Sequence, residues 1–279
     1  MSAKPCDMTS LDETLSAYSV IVITGGSSGI GKAFIERING VNQKAVFCNL
    51  SRREPDIKLS QLKLRHVPCD LSNETQILQA AEEVLHLLRV EAMQGKILLI
   101  NNSGFGGYGR SEDQSLPHQT EMIDLNVRAV VDLTLRLLPE IKKRGGAVVN
   151  IASTAAFQPT AFMAVYGATK AFVLHWSLAL GEELRGSGVQ VLAVCPGPTA
   201  TEFFHRAGMK KGAVSDQWGQ TSAQVVDEAL RALAGGRRQV VTGWLNWLMA
   251  AVSSRLPKPF AARVGAAVLA KFRMSKVNT

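Results

Sequence analysis

Cysteine is scarce and scattered: Cys6, Cys48, Cys69 and Cys195 form no C-x-x-C pair, and no histidine stands at ligand spacing from them. That excludes a disulfide framework and a zinc site, and it points to a reducing, cytoplasmic setting. The N-terminal M-S-A-K-P-C-D-M-T-S lacks an apolar core segment, so no signal peptide is expected. Long apolar runs are missing too. The longest charge-free stretch, residues 145–169, carries Asn150, Ser153, Thr154, Gln158, Pro159 and Thr160, too polar and broken for a bilayer. Residues 239–254 are too short to span one and contain Gly243 and Asn246. Acids are absent from Trp244 onward, where there are six bases; the rest has 25 bases against 23 acids. The net charge of +8 is therefore a property of the tail, and no nucleic-acid surface is expected on the body. Repeats and low-complexity segments are also lacking.

What remains is a chain of 279 residues, 46% hydrophobic and 19% charged, long enough for one large α/β domain. Its organising stretch is residues 20–31, V-I-V-I-T-G-G-S-S-G-I-G. The β-branched run reads as a strand buried on both faces, and a helix opens near Ile30. Gly25 allows a sharp reversal, Gly29 a close backbone approach to a pyrophosphate, and Gly31 close packing of helix on strand. The helix N-terminus then offers unpaired N–H groups to phosphates.

Further strands are expected at 44–50, 62–69, 97–100, 147–151, 190–195 and 239–242, with helices at 74–93, 119–144, 162–185 and 222–234. Asn73 and Gln76 are placed for a capping box. This alternation predicts a single doubly wound, parallel, seven-stranded Rossmann-type sheet, with helices on both faces and a C-terminal helical extension. Three segments follow: a loosely held polar arm (1–17), the dinucleotide-binding and catalytic domain (18–243), and a basic amphipathic extension (244–279). The unusual loops all fall at carboxyl ends of strands, where ligands bind in such sheets.

Tyr166 and Lys170 lie four apart at the start of a helix and so share a face, and Ser153 lies thirteen residues before Tyr166, just past a strand. A tyrosine with its ordinary pKa of about 10 is a poor acid–base catalyst at neutral pH. A nearby ammonium favours phenolate and is expected to lower that pKa. His175 and Trp176 read as core or subunit-interface residues, and Cys195 as packed rather than reactive.

With these motifs together, the chain resembles the classical short-chain dehydrogenase/reductase family over about residues 19–242. The resemblance rests on T-G-G-S-S-G-I-G, Asp70, N-N-S-G (101–104), Asn126, Ser153, Y-G-A-T-K (166–170) and P-G-P-T-A-T (196–201). It implies Tyr166 as proton donor, Ser153 polarising the carbonyl, Lys170 gripping the nicotinamide ribose, and Asn126 holding a water toward Lys170. It implies cofactor contacts from Gly25, Ser27, Ser28, Gly29, Ile30 and Gly31, from Asp70 and Leu71 at the adenine, and from Asn102, Ser103 and Gly104 near the adenosine ribose. It also implies cofactor contacts from Pro196, Gly197 and Thr199, and from Thr201 at the nicotinamide or phosphate end. Ser103 stands where the family more often has alanine.

The end of the second strand reads Leu50-Ser51-Arg52-Arg53, without an acid until Glu54. Arg52 is placed to meet a 2′-phosphate and Arg53 to stack on adenine, which favours NADPH over NADH. The expected activity is hydride transfer between NADPH and an apolar carbonyl or secondary alcohol. An NADP(H)-binding regulatory protein without turnover is the alternative. Residues 202–220 are expected to form a substrate lid, with Phe203, Phe204 and Trp218 hinting at an apolar ligand. A homodimer or tetramer through helices 119–144 and 162–185 is expected from Val130, Val131, Leu133, Leu137, Phe172, Val173, Trp176 and Leu180. In the extension, Phe260, Val264, Val268 and Phe272 form a stripe. It either packs on the protein at the substrate mouth, which the modest charge favours, or lies on an anionic membrane as in a lipid-ketone reductase.

Overall fold

A computed structural model of the chain describes residues 8–92, 94–199, 203, 207 and 219–270. Seven parallel strands form one sheet in the order β3-β2-β1-β4-β5-β6-β7. They are β1 (Tyr18–Thr24), β2 (Val46–Ser51), β3 (Lys63–Pro68), β4 (Lys96–Asn101), β5 (Gly146–Ile151), β6 (Val189–Cys195) and β7 (Gln239–Val241). Neighbours run in register, for example Val22 beside Cys48 and Leu99. The strand alternation sorts side chains to two faces. Val20 and Val22 face α3 (Glu74–His86), α5 (Ala129–Arg144) and α6 (Ala164–Glu183), whereas Ile21 and Ile23 face α1 (Met8–Ser16), α2 (Gly29–Val41) and α7 (Ser222–Ala234). The chain order β1-α2-β2 and β3-α3-β4 gives the crossovers that parallel pairing requires. Between β2 and β3, however, residues 52–62 contain no helix, so strand and helix do not alternate throughout.

Four expectations are corrected. The N-terminal arm is not loose over residues 8–16: these form α1, whose Leu11 and Leu15 are buried one turn apart against the core. The helix expected at 74–93 ends its α-helical part at His86 and continues as a π turn, Leu87–Glu91. There the Leu88 and Ala92 carbonyls accept hydrogen bonds from Arg144 instead of completing the helix. The helix expected at 119–144 is α4 (Leu116–Ile123), a π turn (Asp124–Arg128) and α5, with Pro117 inside its first turn. The capping box at Asn73 is half made: Asn73 accepts from the Gln76 amide, but the Gln76 side chain accepts from Asp70 N–H.

Of the apolar residues named for an oligomer interface, Val130, Leu133, Leu137, Val173 and Leu180 are buried within this one chain. Phe172 is exposed, Trp176 is half-buried, and His175 is exposed rather than core. The extension forms α8 (Trp244–Arg255) and α9 (Lys258–Ala270). Both lie across the carboxyl ends of the strands: Lys258 Nζ donates to the Phe157 carbonyl at 3.0 Å, and Tyr108 Oη donates to the Leu269 carbonyl at 2.6 Å.

Candidate active site

The loop after β1 is fixed by its neighbours before any ligand enters. Gly25 has a φ of 71°, and its N–H donates to the Leu50 carbonyl at 2.9 Å. The Gly26 N–H donates to Asn49 Oδ1 at 2.7 Å. A Cβ on Gly31 would lie 2.3 Å from the Gly25 carbonyl oxygen, so only glycine lets α2 approach β1 this closely. Gly29 has a φ of 56°, and Ser28 is the extended N-cap of α2 but makes no side-chain cap. The first-turn amides of α2 thus face the cleft without a side-chain oxygen, which suits an anionic phosphate. These features fit a dinucleotide, with Gly25, Ser27, Ser28, Gly29 and Ile30 on the cleft wall and Gly31 packed behind it.

Asn102 lines the cleft and also has a structural task. Its Nδ2 donates to the carbonyls of Thr24 and Gly25 at 3.0 and 3.1 Å, latching the glycine turn onto β4. Thr24 Oγ1 accepts from the amides of both Asn102 and Ser103. At the outer end, Ser51 accepts from Asn49 Nδ2 and donates to the Arg53 carbonyl at 2.6 Å, which sets the direction of residues 51–53. Arg52 and Arg53 both line the cleft, beside Asp70 and Leu71. The Arg52 guanidinium is 64% exposed and lies 4.0 Å from both Asp70 and Glu121. Burial opposes the Asp70 charge, but hydrogen bonds from Ser72 outweigh it and hold the carboxyl below its usual range.

The chemistry-bearing group gathers at the end of β5. Ser153 caps a short 3-10 turn, Thr154–Phe157, and accepts from the Ala155 N–H at 3.1 Å. Its hydroxyl stands near Tyr166 in the first turn of α6 and favours the phenolate there. Lys170, one turn on, donates from Nζ to the Ile151 carbonyl at 2.7 Å and stands 6.0 Å from the Tyr166 ring centroid. Asn126 sits in the π turn, which swings its side chain inward. Its Oδ1 accepts from Phe105 N–H, and its Nδ2 donates to the Phe105 carbonyl and Thr169 Oγ1. A Cβ on Gly104 would lie 2.9 Å from Asn126 Oδ1 and 3.3 Å from Lys170 Nζ, so these three residues meet at one point.

The electrostatics differ from the expectation that Lys170 lowers the tyrosine pKa. Burial pushes Tyr166 up to about 12, with the Ser153 hydrogen bond pulling the other way. Burial also pushes Lys170 down to about 8, opposed by the neighbouring Cys195. Desolvation disfavours both charged forms and is the largest effect at each. Cys195 is fully buried, and burial raises its thiol to about 12.

Pro196, Gly197 and Thr199 line the same cleft, where Thr199 Oγ1 donates to the Gly197 carbonyl at 3.0 Å. Thr201, Phe204 and Trp218 lie outside the described residues, as do most of the expected lid residues. The Phe203 ring lies tilted at 52° to the Tyr166 ring, with their centroids 5.1 Å apart. The cleft is a cavity of about 1410 Å³. Its wall also includes Lys32, His118, Glu121, Met163, Met249 and Leu269, which sequence reasoning did not assign. Lys32 follows Gly31 directly and was legible there; the others reach the cavity only through tertiary packing.

The sheet order, the glycine turn and the serine, tyrosine and lysine gathered in one cleft define a class: Rossmann-type, dinucleotide-binding α/β proteins. The chain belongs to the short chain dehydrogenase family, whose sequence profile matches residues 19–212. It is 33% identical over 187 residues to the ketoacyl reductase HetN of Nostoc sp., covering 63% of this chain and 62% of that protein. The match thus spans less than two thirds of that relative's length. It is 32% identical over 188 residues to the serine 3-dehydrogenase of Agrobacterium fabrum, covering 66% of this chain and 73% of the relative. Among solved structures, a short-chain dehydrogenase from Sphingobium yanoikuyae in complex with NADPH superposes with a TM-score of 0.69 at 27% identity, covering 93% of this chain and 98% of that one.

Proposed function

We propose that the protein is an NADPH-dependent oxidoreductase acting between the carbonyl and secondary-alcohol forms of an apolar small molecule. The observation that carries this reading is Tyr166: a buried phenol beside Ser153, one helical turn from an ammonium, and open to a cavity that also holds the glycine turn. The dinucleotide, when bound, supplies the hydride that makes the carbonyl carbon a carbinol. Gly25–Gly31 would hold its phosphates, and Lys170 its nicotinamide-side ribose. Tyr166 gives its phenolic proton to the substrate oxygen in reduction and takes it back in oxidation. Its raised pKa keeps the phenol protonated at rest, the form a proton donor needs. Ser153 fixes the substrate oxygen beside that proton. Asn126, bound to the Phe105 backbone and Thr169, positions the floor under Lys170.

Selectivity for NADPH rests on Arg52. Its two ion pairs are long and exposed, so they hold the guanidinium weakly and leave it to a 2′-phosphate. The NADPH complex of the Sphingobium relative supports this reading. An apolar substrate is supported by Met163 and Phe203 packed on Tyr166, by Met249 and Leu269 elsewhere on the cavity wall, and by the name of the ketoacyl reductase relative. We also assign a homo-oligomer to the outer face of α5 and α6, where Leu135 and Phe172 stand exposed.

The test is oxidation of NADPH, and separately NADH, across ketones, 3-oxoacyl thioesters and steroids. Turnover that favours NADPH and rises with the apolar size of the substrate is the expected result. Tight NADPH binding with no turnover on any of them would replace this reading with a nucleotide-binding regulator.

A further inference from the structure

The helices α8 and α9 have two unlike sides. Toward the body, α8 gives Met249 and Ser253 to the cavity wall, and α9 gives Ala261, Gly265 and Leu269 at one-turn intervals. Away from it, Trp244, Trp247, Leu248 and Val252 fall on one helical face and are 78%, 59%, 44% and 52% exposed. Phe260 is 53% exposed at the start of α9, and Val264 and Val268 stand half exposed on the cavity rim. An apolar surface therefore continues from the outer face over the rim into the substrate cavity. Arg255, Lys258 and Arg263 are exposed on the same two helices. From Trp244 to the end the sequence has six bases and no acid.

Charge decides between occupants. A second copy of the chain would meet this patch through a two-fold axis, setting the bases of these two helices against one another with no acid on either helix. An anionic lipid surface offers the opposite sign, and tryptophan with aliphatic neighbours is suited to the boundary of headgroups and acyl chains. We infer that the outer face of α8 and α9 docks the protein peripherally on an anionic lipid surface, with the cavity rim turned to the lipid so that an apolar substrate enters from it. The entry route rests on the apolar-carbonyl reading above; the docking does not. Each base near such a surface contributes about fivefold in partitioning, so Arg255 and Arg263, with Lys258 tied to the Phe157 carbonyl, give on the order of 25-fold.

The experiment is sedimentation of the full chain with vesicles of phosphatidylcholine, alone or mixed equally with phosphatidylglycerol, at low and high salt. Wild type is expected to pellet with the mixed vesicles at low salt and to be largely released at high salt. Trp244→Ser/Trp247→Ser is expected to bind at least about tenfold more weakly, with unchanged melting and unchanged turnover of butanone. Arg255→Gln/Arg263→Gln should weaken binding to the mixed vesicles only. Mixed vesicles carrying a long-chain methyl ketone should speed its reduction by wild type but not by the tryptophan variant. Wild type staying in the supernatant with both vesicle types would overturn the docking. So would pelleting that ignores both lipid charge and the tryptophans, or a light-scattering mass that halves in the tryptophan variant, since a second copy would then cover the patch. Vesicle binding without turnover of any carbonyl would leave the docking standing and sink the catalytic reading alone.

Discussion

Lys170→Met separates what the buried ammonium does for chemistry from what it does to the fold. Burial lowers the lysine from 10.5 to about 8, so near neutral pH the folded state holds a charge that its surroundings disfavour. At 1.36 kcal/mol per pKa unit the penalty is about 3 kcal/mol. Methionine fills similar volume without a charge. It also removes the hydrogen bond to the Ile151 carbonyl, which costs about 1–2 kcal/mol. The net expectation at neutral pH is a variant more stable by about 1–2 kcal/mol, or roughly 2–4 °C in melting temperature for a chain of this size. The pH dependence follows from the sign of the shift. Between pH 8 and 10.5 the unfolded chain keeps the lysine proton that the folded chain has released, so wild-type stability rises with pH relative to the variant. The variant's advantage should therefore shrink across that window. Tyr166, raised to about 12, lowers stability above its ordinary value in both proteins and largely cancels. Turnover should fall at least about 10²-fold in the same variant. Denaturant melts of both proteins across neutral to alkaline pH are the assay. A variant less stable than wild type at neutral pH would show that the Ile151 contact outweighs the burial penalty, and would refute the reasoning.

Four further outcomes are expected. Arg52→Ala should reduce the ratio of NADPH to NADH efficiency by about 10- to 150-fold, the worth of a charge-assisted contact, and kcat/KM with both cofactors reads it. Gly31→Ala forces a Cβ to within 2.3 Å of the Gly25 carbonyl, so it should cost about 1–3 kcal/mol of stability and weaken NADPH binding. Gly40→Ala, with nothing within 4 Å, should be neutral or slightly stabilising in the same melts. Light scattering should give a dimer or tetramer, and Phe172→Asp should lower that mass; a monomeric wild type would count against the α5–α6 face.

The sheet and the site were legible because their signals are local. A β-branched run followed by G-x-x-x-G-x-G states a strand, a reversal and a helix start within twelve residues. Tyr166 and Lys170 state a shared helical face by spacing alone. What escaped depended on distant partners. The π turn at Asp124–Arg128 accompanies an Asn126 amide bonded to Phe105 and Thr169, and no local propensity encodes that. Leu11 and Leu15 in α1 bear the one-turn spacing, but the polar residues around them masked it. The tyrosine pKa was misjudged because sequence shows that the lysine is near and does not show that both are buried, and burial is the larger effect. The second role of Asn102, whose amide ties the glycine turn to β4, likewise depends on a distant partner.

The most direct measurement of the central claim is the turnover of Tyr166→Phe beside wild type, on a carbonyl that wild type reduces, with NADPH affinity measured in parallel. The substitution removes one oxygen from a buried ring and leaves Phe203, Lys170 and the glycine turn in place. Turnover should fall by about 10²–10⁴-fold, the usual contribution of a positioned acid–base group, with NADPH binding nearly unchanged. Retention of more than half the wild-type turnover would contradict the assignment of Tyr166 as the proton donor.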